Sequence, residues 1–206
     1  MRRVGLVAVV MLLAAAGCGS KDPAAAPPVT TPSVTGTAGA TPNTSPAPGT
    51  PGASASDLLE FTVDGAGPYQ LGATLANLQA TASLDEVKTG GEVCPQNATA
   101  RGKGVWKDIR LSFRNDGVLY LAINRSPSIP TPSGAWLGTT LAQLKSIYNG
   151  VTTQTLTRGG GNAFLVITLS GRGILFDLDP SKRVIAMIAG DAVFLRTSYL
   201  GGTDFC

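Results

Sequence analysis

Hydrophobic and polar residues alternate in short segments of the chain, which is the pattern of β-strands buried on one side. The first two segments are 109–113 and 118–123, and the turn-forming sequence RNDG at 114–117 separates them. Because antiparallel neighbours need only tight turns, this spacing predicts antiparallel meanders. Three further apolar segments with short breaks between them follow at 163–169, 174–178 and 184–189.

A repeated motif precedes each group of strands. The sequences LGATLANLQ at 71–79 and LGTTLAQLK at 137–145 are identical at six of nine positions. Thr74 and Thr140 are placed to cap a helix, because a threonine hydroxyl accepts a hydrogen bond from an amide of the first turn. Gln143 would complete a reciprocal capping box with Thr140. Each copy is therefore predicted to begin with a short amphipathic helix.

The helices and strands together predict the α+β class. We expect one domain at 57–206, made of two tandem helix-plus-antiparallel-meander units at about 61–130 and 131–206. Because each helix has a single apolar stripe, we expect the helices to pack on one sheet face.

The first 17 residues have the pattern of a secretory signal peptide. Arg2 and Arg3 precede an apolar segment at 4–13, which is shorter than the roughly 20 residues that a membrane span requires. The sequence AAGC at 15–18 resembles the lipobox of bacterial lipoproteins, whose cysteine receives a diacylglyceryl group. This resemblance implies lipidation of Cys18 and a location on the extracytoplasmic face of the cell membrane. The alternative is an ordinary signal peptide with an incidental cysteine.

The segment 18–56 is rich in proline, threonine and alanine. It has no aromatic residue, and Asp22 is its last charged residue. Such a composition cannot bury enough apolar surface to offset the entropy of ordering the backbone, so we expect a disordered tether. A plain spacer and an O-glycosylated spacer are both compatible with it.

Two cysteines remain once Cys18 is lipidated. An exported protein meets an oxidising compartment, which allows Cys94 and Cys206 to pair. We predict a disulfide between them, and the alternative is two free structural cysteines.

The repeated unit, with its Leu-Gly-x-Thr motifs at 71–74 and 137–140, resembles two bacterial groups. These are secreted tandem-repeat inhibitors of the β-lactamase inhibitory protein type and outer-membrane assembly lipoproteins of the small-protein-A type. It also resembles uncharacterised actinobacterial-type lipoproteins, for which the resemblance implies no activity. The inhibitor has one disulfide in each repeat, whereas the disulfide predicted here joins the halves, so enzyme inhibition is not implied.

Candidate catalytic chemistry is sparse. The chain contains no histidine, the usual general base near neutral pH and the commonest zinc ligand. Asp177 and Asp179 alternate before Pro180, where a turn is the simpler interpretation. The glycine-rich segment 158–162 lacks the Lys and Ser/Thr of a phosphate loop and predicts a hairpin tip. We therefore expect no catalytic, cofactor-binding or metal-binding residues.

Four residues form the candidate binding surface. Arg101, Lys103 and Lys107 lie in a basic segment that suits an anionic wall polymer, and a plain solvated loop is the alternative. Trp136 precedes the second Leu-Gly pair and belongs either to an apolar binding patch or to the core. Without the leader the chain has 14 basic and 13 acidic side chains, and this near-neutral balance argues against nucleic-acid binding.

These features favour a non-catalytic binding or scaffolding module, anchored to the membrane through its N-terminal lipid. Its expected partner is an envelope protein or a wall polymer. Two alternatives remain open. One is a small-ligand or sensor module with a pocket between the two halves, and the other is a carboxylate-dependent envelope hydrolase.

Overall fold

The computed structural model of the chain describes residues 59–91, 94–203 and 205. The predicted leader, the lipidation at Cys18 and the tether at 18–56 lie outside these residues and stay predictions. Cys206 also lies outside them. No helix in the described part of the chain is both long enough and apolar enough to cross a membrane.

Short strands dominate the secondary structure of the described residues. The three helices are α1 (Leu75–Ala80), α2 (Leu141–Ile147) and α3 (Ala192–Gly201). The strands of the first half are β1 (Phe61–Thr62), β2 (Gly65–Ala66), β3 (Tyr69–Gln70), β4 (Leu84–Thr89), β5 (Ala98–Gly102), β6 (Ile109–Phe113) and β7 (Leu119–Asn124). The strands of the second half are β8 (Thr152–Arg158), β9 (Gly161–Ile167), β10 (Arg172–Leu178) and β11 (Val184–Asp191).

Within the described residues, eight strands form one antiparallel sheet in the order β4-β5-β6-β7-β11-β10-β9-β8. A small separate sheet contains β1, β2 and β3. The last strands of the two meanders, β7 and β11, pair with each other through 122–124 and 187–189. This pairing joins the two halves of the chain in the middle of the large sheet and leaves β4 and β8 as its edges.

The two helices of the repeated motif begin where the sequence predicts. The Thr74 hydroxyl accepts a hydrogen bond from the Asn77 amide at 3.2 Å. The Thr140 hydroxyl accepts one from the Gln143 amide at 3.3 Å, and the Gln143 side chain accepts one from the Thr140 amide at 2.9 Å. Both predicted caps and the capping box are confirmed.

The two faces of the large sheet have different covers. On the first face, β1–β3, α1 and α2 pack over a core that includes Phe61, Leu78 and Leu144. On the second face, α3 lies over β8–β11, where Leu195 packs on Leu165. The second face of β4–β6 is instead exposed in the described structure, because its side chains are mostly polar. We call this surface, together with Ile123 of the neighbouring strand β7, the open face, and it consists of Glu86, Lys88, Thr99, Arg101, Arg110, Ser112 and Ile123.

The predicted α+β class with two helix-plus-meander units is wrong. The described chain is mostly β, with one continuous antiparallel sheet and only short helices. The meanders are not separate units because β7 and β11 share backbone hydrogen bonds. The two predicted helices, α1 and α2, both pack on the first face, and a third helix that the sequence analysis did not predict, α3, covers part of the second face.

Candidate binding surface

The open face carries two arginines directly opposite each other. Arg101 of β5 and Arg110 of β6 are partners in the strand register, while the neighbouring Ala100 and Leu111 point into the core. Side chains at such positions start about 5 Å apart, and like charges there destabilise a sheet. The protein therefore keeps a repulsive pair where water or a ligand has access to it.

Only one of the two arginines has a carboxylate partner. Arg101 Nη1 lies 3.2 Å from Glu86 Oε1, and more than a third of each of these two side chains is exposed to solvent. In the described part of the chain Arg110 and Lys88 have no ion pair. The edge strand β4 also brings Asp85 opposite Arg101, so the acidic groups lie at the rim and Arg110 lies further inside.

The open face is a shallow depression of about 280 Å³. Its donors are the guanidinium groups of Arg101 and Arg110, the ammonium group of Lys88 and the hydroxyls of Thr99 and Ser112. Arginine presents its donors in a planar fork that fits carboxylate and phosphate oxygens. These groups can bind an anion.

The three cations of the predicted basic segment do not lie on one surface, because one is part of a strand and two lie beyond its end. Arg101 is half-buried in β5 and belongs to the open face. Lys103 follows β5 and precedes a single 3-10 turn at Gly104–Trp106, and Lys107 ends that turn. The lysine side chains are exposed beyond the end of the strand. The segment is therefore not simply a loop, and only one of its three predicted cations lines the depression.

Trp136 lies in a different part of the molecule. Its side chain is 54% exposed, whereas Trp106 is buried in the core. Beside Trp136 is a depression of about 260 Å³, lined in part by Gln143 and Ile147 of α2. Because α2 packs on the first face of the sheet, the structure does not bring Trp136 together with Arg101. Trp136 therefore lies at the surface rather than in the core.

The two candidate carboxylates have separate surroundings. Asp179 Oδ1 accepts a hydrogen bond from the Arg183 amide at 2.8 Å, which is the turn role expected from the sequence. Asp177 is half-buried, and burial raises its pKa although the Leu178 amide and the positive charge of Arg125 act in the opposite direction. The structure therefore gives the two aspartates different roles.

Asp177 acts electrostatically on a tyrosine of α3. Burial raises the pKa of Tyr199, and the charge of Asp177 raises it further against the opposing effect of Arg158. The Tyr199 hydroxyl is buried and has no hydrogen-bond partner among the described residues. No group of three or more histidine, cysteine, aspartate or glutamate residues able to hold a metal ion occurs in 59–91, 94–203 or 205.

Residues beside the two cysteines of the predicted disulfide meet at Tyr120. Asn97 Nδ2 donates a hydrogen bond to the Tyr120 hydroxyl at 3.2 Å, and its amide donates one to the Cys94 carbonyl at 3.1 Å. The Tyr120 hydroxyl in turn donates to the Phe205 carbonyl at 2.8 Å. Cys206 itself lies outside the described residues, so the disulfide stays a prediction.

Sequence reasoning missed most of the open face. It selected Arg101 for its basic neighbours in sequence, but not Arg110, Lys88 or Thr99, which come from other strands. The available signal was the alternation in β6, where Arg110 and Ser112 stand between buried residues and must share a face.

Comparisons with known proteins leave the family of this chain open. No family model matches the chain, and no curated protein matches it. A solved structure similar to it is that of an extracellular protein containing a SCP domain from Bacillus anthracis str. Ames. The match has 11% sequence identity and a TM-score of 0.39, and it covers 62% of this chain and 46% of that protein. The chain thus matches less than half the length of that protein.

Proposed function

We propose that this chain is a lipid-anchored, non-catalytic binding module of the cell envelope, and that its open face binds an anionic wall polymer. The observation that carries the proposal is the opposed pair of Arg101 and Arg110 on the exposed half of the sheet. A like-charge pair reduces stability unless an anion compensates it. A polymer with regularly spaced negative charges supplies that compensation at two adjacent positions.

The chemistry of the open face favours phosphodiester groups as the anions. Arg110 has no ion pair in the described structure, and Arg101 retains donors beyond those near Glu86. A phosphate group accepts two parallel hydrogen bonds from one guanidinium group. The hydroxyls of Thr99 and Ser112 lie in the same depression and add neutral donors for sugar or phosphate oxygens.

The sequence supports the location. The lipobox-like sequence at 15–18 and the tether at 18–56 would hold the folded domain away from the membrane surface, within reach of wall material. Resemblance to secreted bacterial lipoproteins points to the same compartment.

The small-ligand alternative needs a pocket between the two halves of the chain. Both halves line a shallow depression of about 290 Å³, to which the first half contributes Leu71 and Tyr120 and the second half contributes Arg172. We favour the open face over this depression because two cations stand directly opposite each other there.

The proposal is tested by measuring binding of the detergent-solubilised full chain to a purified, immobilised glycerol-phosphate polymer. We expect saturable binding that weakens as salt is added. The double variant Arg101→Gln/Arg110→Gln should bind at least about tenfold more weakly, because it loses two charge-assisted contacts. An uncharged polysaccharide of similar length should not bind.

A matched control removes two charges elsewhere. Arg196 of α3 and Lys145 of α2 are exposed and lie outside the open face, so Arg196→Gln/Lys145→Gln changes the net charge equally. We expect affinity within about twofold of the unmodified chain, since long-range charge effects are screened. Equal weakening by both double variants would reduce the interaction to general charge attraction and contradict a defined site. Absence of binding by the unmodified chain would contradict the proposal itself.

The exposed Trp136 favours a second candidate function, the binding of a small ligand in the depression beside α2. An exposed indole ring stacks on flat or sugar-like apolar faces. Trp106 is buried, so the fluorescence of a solvent-exposed tryptophan comes from Trp136. A ligand that changes this exposed component and leaves the buried component unchanged would support the candidate. A Trp136→Ala variant that responds like the unmodified chain would eliminate it.

A further inference from the structure

The two edges of the large sheet differ in how they are protected. Edge strands carry unpaired backbone groups, and proteins protect them with bulges, charges or short length. On β4 the register breaks between Asp85 and Lys88, and Glu86 has a left-handed backbone with φ of 50°. On β8 the register with β9 is unbroken over all seven residues, and its only charged residue is Arg158 at one end.

The turn after β8 determines which backbone groups of the strand point outward. Gly159 and Gly160 have φ values of 53° and 89°, as a two-residue type I′ turn requires, and they join Arg158 to its partner Gly161. The pair that flanks such a turn is hydrogen-bonded, and hydrogen-bonded pairs alternate along an antiparallel ladder. The backbone groups directed away from β9 therefore belong to Thr153, Thr155 and Thr157.

The sequence of β8 is complementary to itself. Antiparallel pairing centred on Thr155 places Thr155 opposite its own copy and Thr153 opposite Thr157. Arg158 then faces Thr152, so no like charges meet. Threonine pairs across antiparallel strands are favourable, and Thr155 and Thr157 are exposed, so neither has to leave the core.

We propose that two copies of this chain associate through antiparallel pairing of their β8 strands, centred on Thr155. A twofold axis through this position would join the two sheets into one continuous sheet. The open face lies over the opposite edge of each sheet, so the pair would present two copies of it. The dimer rests on the edge of β8 alone and is independent of the function of the open face.

Cross-linking of a single introduced cysteine tests the register. In the Thr155→Cys variant of the full chain, a short thiol-to-thiol cross-linker should produce covalent dimers, because the axis brings residue 155 next to its copy. The matched variant Thr152→Cys places the thiol far from its copy and should give only the background of the unmodified chain. Equal cross-linking of the two variants, or none above background in either, would overturn the proposal.

Sedimentation equilibrium of the detergent-solubilised chain tests the association itself. The unmodified chain should dimerise reversibly, and Thr155→Pro should weaken dimerisation at least about tenfold, because proline removes an outward N–H and leaves the β9 hydrogen bonds intact. Thr155→Val keeps the backbone groups and should keep the dimer. An unmodified chain that stays monomeric at the highest concentration reached would overturn the proposal. This outcome also covers a chain whose β8 strand pairs with a peptide of another protein instead of with a second copy.

Discussion

At the scale of single residues, the half-buried carboxylate of Asp177 links stability to pH. Burial holds its pKa above the ordinary value of 3.8, and Arg125 only partly offsets this effect. A carboxyl group whose pKa is higher in the folded state than in the unfolded state stabilises the fold at pH values below its unfolded-state pKa. This stabilisation is lost as the pH rises through the folded-state pKa. The ionised Asp177 is therefore unfavourable for the fold near neutral pH.

Asp177→Asn should therefore increase the free energy of unfolding at neutral pH. The gain should shrink on acidification and vanish below about pH 3, where the carboxyl group of the unmodified chain is neutral in both states. Urea unfolding of both proteins across this range measures it. Asp179→Asn is the control, because an asparagine oxygen can still accept the hydrogen bond of the Arg183 amide. A loss of stability in Asp177→Asn near neutral pH would contradict the explanation.

The hydroxyl groups of two tyrosines differ in their hydrogen bonds, so removing each hydroxyl by substitution with phenylalanine should have different effects on stability. The Tyr69 hydroxyl accepts a hydrogen bond from the Lys103 amide at 2.9 Å and donates one to the Ser83 carbonyl. Tyr69→Phe leaves both backbone groups unpaired and should cost about 1–3 kcal/mol. The Tyr199 hydroxyl is buried without a described partner, so Tyr199→Phe should be neutral or stabilising.

Denaturant unfolding of both variants measures the difference. The prediction concerns its sign, with Tyr69→Phe the less stable of the two. Similar losses in both variants would contradict the prediction.

Residue-level features were predictable when they depended on neighbours in sequence. The caps at Thr74 and Thr140 were found because each hydroxyl bonds an amide three residues later. The pairing of Arg101 with Arg110 was not found, because it depends on the register between two strands. Register follows from packing as well as from sequence pattern.

At the scale of elements, α3 separates the covered half of the second sheet face from the open face. It begins at Asp191, whose Oδ1 accepts a hydrogen bond from the Phe194 amide at 2.8 Å, and it ends before Gly202 in the left-handed conformation. Both are standard helix boundary signals. Sequence reasoning did not predict this helix, although Asp191 and Gly202 mark its two ends.

Removing the cap of α3 should destabilise the protein measurably. Asp191→Ala should cost about 0.5–2 kcal/mol, and Asp191→Asn should stay within a few tenths because its side-chain oxygen still accepts the hydrogen bond. Thermal and denaturant unfolding of the two variants provide the comparison. Equal losses would assign the effect to the charge of Asp191 rather than to capping.

The strands that the sequence predicted carry large buried apolar residues, whereas the interior strand β5 was missed because its buried positions are the small residues Ala98, Ala100 and Gly102. β6, β7, β9, β10 and β11 lie in the interior of the sheet and were located to within about two residues. The edge strands β4 and β8 have mostly exposed side chains and leave almost no apolar pattern. The strands β1–β3 are two residues long, which is too short for any periodicity.

At the scale of the whole molecule, the pairing of β7 with β11 converts two predicted units into one sheet. The sequence showed two similar segments but not which strand edges would meet, because either end of a meander can accept a neighbour. The open face has a related origin, since α3 packs over β8–β11 and contacts Tyr120 of β7 through Phe194, whereas Thr99 and Arg110 on β5 and β6 stay exposed.

The predicted disulfide would tie the end of the chain to this sheet. The contacts of Asn97, Tyr120 and Phe205 favour it, because they bring neighbours of Cys94 and Cys206 to one side chain. A chain cross-link of this loop length contributes about 4–5 kcal/mol in the entropy model. Cys206→Ser should therefore lower the melting temperature, and adding a reductant should affect only the unmodified chain. Two titratable thiols at these positions in the native, unreduced protein would contradict the bond.

The open face as an anion-binding surface is the central claim, and the arginine side-chain NMR signals test it most directly. Variants at Arg101, Arg110, Arg183 and Arg196 assign the Nε–Hε signals, and a glycerol-phosphate polymer is then titrated into the detergent-solubilised chain. We expect saturable shifts of the Arg101 and Arg110 signals while those of Arg183 and Arg196 stay in place. Unchanged Arg101 and Arg110 signals, equal shifts of all four, or a response confined to the Trp136 indole would contradict the claim.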